Sequence, residues 1–463
     1  MYGTDPTRRA SVHAGGGDGL EKPELSLGFI PLTDCAPLVV AKEKGYFARY
    51  GLNVRLSKET SWANIRDKVA IGVLDGAQML ASMPIASTLG LGPIHKPMVT
   101  ALSLDLNGNA VTVSQGLYRR MLELDPEAMA GRPVTARALR RVIEDRRRRG
   151  DGPLTFAMVF PVSTHNYELR YWMAAAGIDP DRDLRLVVVP PSQMVGSLKA
   201  GRIDGCCVGE PWNGVAVREG VGRVLITGYE IWNNNPEKVF GVNLEWAEQH
   251  PRTHRALVGA LLEAARWLDA PENRPEVVEL IARGVYVNAP PDVVRMSMTG
   301  TFQYARTEFP RSLPDFNVFH RYAANFPWRS HAVWLMTQML RWGQIDRPLD
   351  LRETADRVCQ PDLYRAAARD LGIPAPTVDH KTEGGRARGW TLAGAQGSIA
   401  MGPDLFLDGG RFSPADPLAY LDGFAVARVS VDREALGAAN PPWSIEQRSA
   451  ALAPEGGVRT GTA

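Results

Sequence analysis

Apolar residues fall along the first half of the chain in short β-type runs, each followed by a stretch of helical character. Residues 25–31 (LSLGFIP) predict a first strand. Thr33 and Asp34 then read as the cap of a helix over 36–44, stopped by Gly45. Residues 46–52 read as a turn, 53–56 (NVRL) as a second strand and 62–69 as a helix. Residues 73–79 predict a strand running into a helix with Pro84 in its first turn. The pattern returns with strands at 155–160 (TFAMVF), 184–189 (LRLVVV), 205–208 and 225–228, and with helices opening at Ser163 and Ser192. Strand and helix in alternation predict an α/β protein, its parallel sheets covered by helices.

Two α/β units follow, over 24–112 and 113–238. A chain return near 239–243 feeds a helical region, 246–380, expected to pack on the first unit as an extension of it. From 381 to 463 the chain turns charged and glycine-rich and reads as a surface-wrapping segment with a disordered end. Residues 1–23 are polar and glycine-rich and read as a disordered tail.

Composition adds limits. A chain of 463 residues, 44% of them hydrophobic, has room for a two-lobed core. A net charge of +2 calls for no nucleic-acid partner. The basic run 140–150 (RRVIEDRRRRG) fits an exposed helix end, where cations suit the helix dipole. Cys35, Cys206, Cys207 and Cys359 form no CxxC pair and fit a reducing compartment. The first 23 residues lack the run of roughly 7–15 apolar residues that an export signal needs, despite Arg8-Arg9, so a cytoplasmic location is expected. No stretch reaches the roughly 18–20 apolar residues of a membrane helix.

Catalytic motifs are missing: there is no GxSxG, HExxH or GxxxxGK[ST], and the eight histidines show no metal-ligand spacing. No enzyme activity, cofactor or metal is expected. What stands out is a set of nitrogen donors at loop-to-helix junctions and chain crossovers: Trp62, Asn109, His165 and Lys238. His165 lies in a first helical turn, where free backbone N–H groups favour anions. Each has a plainer reading, as packing residue, turn former, structural histidine or solvated lysine.

Five long stretches change that balance. They are residues 25–52 (LSLGFIPLTDCAPLVVAKEKGYFARYGL), 61–80 (SWANIRDKVAIGVLDGAQML), 163–180 (STHNYELRYWMAAAGIDP), 188–213 (VVPPSQMVGSLKAGRIDGCCVGEPWN) and 230–242 (EIWNNNPEKVFGV). The chain resembles the nitrate- and bicarbonate-binding protein family of ABC transporters, nearest to its cytoplasmic NasS-type nitrate/nitrite sensor branch. The resemblance implies a two-lobed periplasmic-binding-protein-like fold of type II with a hinge between the lobes. It implies ligand contacts from Trp62, Asn109, His165 and Lys238, with Asn109 where transporter members carry a glutamine. Thr164, Gln193, Glu210 and Glu237 are expected around them. Nitrate has three acceptor oxygens and no donor, so donors plus one cation suit it, whereas bicarbonate also wants an acceptor; Lys238 thus points to nitrate or nitrite. The sensor branch implies a NasT-type ANTAR antiterminator as protein partner. Two other readings stay open: a binding component of a nitrate or bicarbonate ABC transporter, and a pyrimidine-precursor synthase on the same fold, whose CCCFC motif Cys206-Cys207 does not reproduce.

Overall fold

The computed structural model describes residues 19–444. Ten strands build two five-stranded sheets. The first sheet contains β1 (Glu24–Phe29), β2 (Asn53–Lys58), β3 (Gly76–Leu80), β4 (Met98–Ser103) and, from far along the chain, β10 (Lys238–Asn243), in the order β2-β1-β3-β10-β4. The second contains β5 (Asn109–Ser114), β6 (Thr155–Met158), β7 (Arg185–Val188), β8 (Gly205–Gly209) and β9 (Gly222–Thr227), in the order β9-β5-β8-β6-β7. β1 pairs in parallel with β2 and β3, and β6 with β7 and β8. β10 and β5 run antiparallel to their neighbours, because each begins where the chain has just crossed from the other sheet. The sheets are therefore mixed, not purely parallel as the alternation predicts.

Helices cover both sheets. α1 (Ala36–Glu43) carries Pro37 in its first turn and buries Leu38, Val39 and Val40. α2 (Trp62–Ala70) is capped by Ser61, whose side chain accepts from the Asn64 N–H. α3 (Arg137–Arg149) holds the basic run; Arg140 and Arg149 pair with Glu144 and Asp145, and Gly150 ends the helix in the left-handed region. α4 (Thr164–Ala175) is capped by Ser163 and buries its first ten residues. α5 (Pro251–Asp269) packs Leu257 and Leu261 into the core under β1 and α1.

Several expectations need correction. Residues 19–23 do not belong to a loose tail: Glu21 accepts from the Thr253 N–H at 2.9 Å, which caps the start of α5, and Lys22 pairs with Asp75 at 2.5 Å. The expectations for residues 1–18 and 445–463 lie outside the described residues. α6 (Arg329–Arg341), in the region assigned to the first unit, has twelve buried residues; it packs Trp334 against Trp232 and Phe406 and so does not rest on the first sheet alone. Residues 46–49 form a helical turn. The C-terminal segment contains a hairpin, Trp390–Ala395 with Gly397–Met401.

Two crossovers join the sheets and bond to each other. The Asn107 N–H donates to the Asn235 carbonyl at 3.0 Å, and the Asn235 N–H returns to Asn107 Oδ1 at 3.2 Å. Gly108, between them, has φ +94°, and a Cβ there would stand 2.7 Å from Asn317 Oδ1. The lobes touch directly: the Thr33 N–H donates to the Glu210 carbonyl at 2.8 Å, and the Ser82 hydroxyl donates to the Val162 carbonyl at 2.9 Å.

Candidate functional site

The crossovers and the strand ends deliver side chains to one place between the sheets. Lys238 is the first residue of β10 and Asn109 the first of β5. Trp62 opens α2 after β2, and His165 lies in the first turn of α4. All four are buried at 0–1% exposure. The Lys238 ammonium sits 5.5 Å from the centre of the Trp62 ring, a cation–π distance. His165 Nδ1 lies 3.3 Å from Glu237 Oε1, and Glu237 bonds the Lys238 ammonium. Asn109 Nδ2 donates to Glu168 Oε2 at 3.3 Å.

Of the residues expected around these four, Thr164, Glu210 and Glu237 are buried with them. Gln193 is not: it is exposed on the 3-10 turn Pro191–Gln193, because the chain after Pro190 turns outward before the next helix. Ser163 caps α4 by accepting from the Asn166 N–H at 3.1 Å, which leaves the Thr164 hydroxyl uncommitted to the cap.

Four carboxyl groups furnish the cluster besides Glu210, and three of them were not among the expected site residues. Asp34, read as a helix cap, accepts from Gln78 Nε2 and pairs with the Lys238 ammonium at 2.8 Å. Asp105 accepts the Lys238 backbone N–H at 2.9 Å, and its Oδ2 has no partner among the described residues. Glu168 accepts from Asn109 and from the Cys207 thiol at 3.8 Å, both through Oε2. A carboxylate directly after the first strand (Asp34) and one directly before the first crossover (Asp105) were the available signals.

This composition alters the electrostatics. Burial alone would depress the Lys238 pKa, but the carboxylates of Asp34, Glu237 and Asp105 outweigh burial and hold it charged. Lys238 is thus already compensated by protein carboxylates, so it does not by itself select nitrate over bicarbonate as its identity alone suggests. Burial first and the Lys238 charge second push the His165 pKa well below the usual imidazole range, leaving a neutral ring with one donor and one acceptor. Burial, then the Glu237 charge, lifts the Glu168 carboxyl well above the carboxylate range; burial and Asp34 do the same to Asp105. Burial pushes Glu210 up to about 7, against the bond from the Gly214 N–H.

Several buried polar atoms here have no protein hydrogen-bond partner among the described residues: Trp62 Nε1, Thr164 Oγ1, both His165 ring nitrogens, Asn109 Oδ1, Glu168 Oε1 and Glu237 Oε2. A buried donor or acceptor left unmade costs about 1–3 kcal/mol, so a cluster of them marks a place built for a polar ligand. No group of three or more His, Cys, Asp or Glu suited to a metal ion occurs among the described residues. A surface cavity of about 370 Å³ lies elsewhere, beside Lys381, Arg386 and Arg411, and takes no part in this cluster.

Comparison with known proteins places the chain. The NMT1-like family matches residues 18–282, more than half of its length. The chain belongs to this family. Among relatives, it is 42% identical to the nitrate import ATP-binding protein NrtC of Synechocystis sp. PCC 6803 over 90% of this chain and 57% of that protein. It is 41% identical to the bicarbonate transport ATP-binding protein CmpC of the same organism over 89% of this chain and 58% of that one. The chain thus spans somewhat more than half the length of these two. The crystal structure of the periplasmic nitrate-binding protein NrtA from Synechocystis PCC 6803 superposes with a TM-score of 0.77 at 30% identity, covering 88% of this chain and all of that one. The family fold is therefore that of the two-lobed periplasmic binding proteins, and these relatives are named for binding and transport, not catalysis.

Proposed function

We propose that the two lobes close on nitrate or nitrite in the cleft between Trp62, Asn109, His165 and Lys238, and that closure signals to a protein partner. The observation that carries this reading is the cluster of buried polar atoms at the lobe contact that have no hydrogen-bond partner among the described residues: Trp62 Nε1, Thr164 Oγ1 and His165 Nε2. A planar anion with three acceptor oxygens answers them. The similarity to NrtA, named for nitrate binding, supports the ligand. For the partner, the five stretches that resemble the sensor branch support a cytoplasmic nitrate/nitrite sensor acting on a NasT-type ANTAR antiterminator. In that role the anion favours the closed form and the partner the open one, and each weakens binding of the other by the same factor.

A thermal-shift series with nitrate, nitrite, bicarbonate and chloride tests the ligand. A ligand at a hundred times its Kd stabilises by about 2.7 kcal/mol, so nitrate or nitrite raises the melting midpoint and chloride does not. Absence of a shift with either removes the reading. For the partner, nitrate added to the purified complex with the antiterminator separates the two on a sizing column; an intact complex at saturating anion contradicts the sensor role.

A second reading has its own support. Glu168 Oε1 and Glu237 Oε2, without hydrogen-bond partners among the described residues, are acceptors suited to the O–H of bicarbonate, and several relatives are named for bicarbonate transport. The names of the relatives also favour a component of an anion transporter. Stabilisation by bicarbonate and not by nitrate would decide for that ligand.

A further inference from the structure

Among the described residues, the cluster gathers the carboxyl groups of Asp34, Asp105, Glu168 and Glu237 around one buried cation, Lys238. Asp34 and Glu237 share the Lys238 ammonium. Among the described residues Glu168 pairs with no cation: its Oε2 accepts from the Asn109 amide and the Cys207 thiol, and its Oε1 has no hydrogen-bond partner. The carboxyl is fitted closely to this place, since a Cβ on Gly228 would come within 2.8 Å of Glu168 Oε1. The groups around it come from every packed element. His165 and Thr164 share α4 with it, Asn109 comes from β5, Cys207 from β8 and Glu237 and Lys238 from the return crossover, with Asp34 and Asp105 behind. The ring of His165 is neutral and adds no charge.

A closed cleft of this make-up cannot accept a further anion next to an ionised, unpaired carboxylate, because like charges out of water repel strongly. Resting on the anion-binding function proposed above, we infer that the cleft takes its anion together with a proton, which the carboxyl of Glu168 carries. In the open form water reaches Glu168 and lets it ionise. Closure around the anion removes that water and adds a second negative charge nearby, so the carboxylate takes a proton from solvent. No bond in the anion is made or broken. The protonated carboxyl is a donor. It donates to Asn109 Oδ1, which has no partner now, once that amide turns; the turn points the Asn109 NH₂ at the anion. The same proton therefore removes a repulsion and converts an acceptor into a donor. The pKa of Glu168, raised by burial and by Glu237, runs in the same direction.

Linkage fixes the sign. The bound state holds one more proton, so affinity falls as pH rises, about tenfold per unit for one proton. The test is calorimetric titration of the full chain with sodium nitrate near pH 7.5 in Bis-Tris and in Tris, amine buffers with different ionisation enthalpies, followed by a pH series. The expected heats differ between buffers by an amount equal to uptake of about one proton, and Kd rises about tenfold per pH unit. Glu168→Gln, whose amide donates without titrating, binds nitrate with buffer-independent heat and a flat Kd. If that variant does not fold, the wild type decides by infrared difference spectroscopy, in which nitrate raises a protonated-carboxyl stretch. Nitrate binding by the wild type with no buffer dependence and a flat Kd overturns the inference and leaves the nitrate function standing. Proton uptake undiminished in a folded Glu168→Gln overturns the assignment to Glu168. Binding of no nitrate in any buffer removes the function on which the inference rests.

Discussion

Lys238 shows how far a single residue's role depends on its neighbours. Its ammonium has no exposure, and Asp34 and Glu237 hold it from two sides. Removing it leaves both carboxylates buried without a cation, and breaking a buried pair in this way costs about 3–5 kcal/mol. Lys238→Met is therefore expected to lower stability by that amount in a denaturant titration, before any effect on ligand is considered; a stability within 1 kcal/mol of wild type, on the scale of about 0–1 kcal/mol for exposed pairs, contradicts the pairing. Trp62 is the opposite case. Its indole N–H makes no hydrogen bond among the described residues, while its ring fills the core. Trp62→Phe keeps most of the ring and loses one hydrogen bond to an anion, worth about 1.5–3 kcal/mol. Nitrate affinity is expected to fall by tenfold or more with the melting curve little changed.

Glu210 gives a pH prediction with a definite sign. Its carboxyl is raised from 4.5 to about 7 by burial. A raised acid leaves folding fully stable below pH 4.5 and erodes stability as pH climbs toward 7, where the folded protein finally ionises. The whole effect is on the order of 3 kcal/mol. Glu210→Gln removes this slope, so the variant gains stability relative to wild type between pH 5 and pH 8. Equal pH slopes in the two proteins would show that Glu210 is not desolvated.

Among the elements, the paired crossovers position two of the candidate site's four central residues. They set Asn109 and Lys238 at the starts of β5 and β10, and they bond to each other through Asn107 and Asn235. Gly108 stands in the left-handed region with no room for a methyl group. Gly108→Ala is expected to destabilise by about 1–3 kcal/mol. Gly116→Ala, inside the helix Gln115–Leu124 and exposed, stabilises by about 0.5–1 kcal/mol. Denaturation midpoints moving in the same direction for both would refute the strain at Gly108. These elements also show what the chain discloses before folding. The strands near 25–31, 53–56, 73–79, 155–160, 184–189, 205–208 and 225–228 and helices α2 and α4 were legible, because β-branched runs and Ser caps are local signals, whereas β4 and β5 were not foreseen. That Trp62, Asn109, His165 and Lys238 come together was expected from long similar stretches, not from spacing. The roles of Asp34 and Asp105 were not legible, since a carboxylate beside a helix start looks like a cap, and one in a loop between strands carries no pattern, until β10 brings Lys238 to both. Antiparallel β5 and β10 were hidden for the same reason: direction in a sheet depends on partners more than 100 residues away in the chain, as when Lys238 pairs with Leu80.

At the scale of the molecule, the sheets are two bodies joined by two strands of chain and pressed together at Thr33–Glu210 and Ser82–Val162. Such a body closes when something in the cleft binds the closed form better. The polar atoms at that seam without hydrogen-bond partners among the described residues are where we propose the anion sits, and the carboxyl groups around Lys238 are the reason we infer that it enters with a proton. The measurement that tests this most directly is isothermal titration calorimetry of nitrate into the full chain and into Trp62→Phe and His165→Phe, with melting curves taken alongside. One equivalent of nitrate bound by the wild type, and affinity at least about tenfold weaker in both folded variants, is the predicted result. No binding by the wild type, or both variants binding as it does, would contradict the assignment of the cleft.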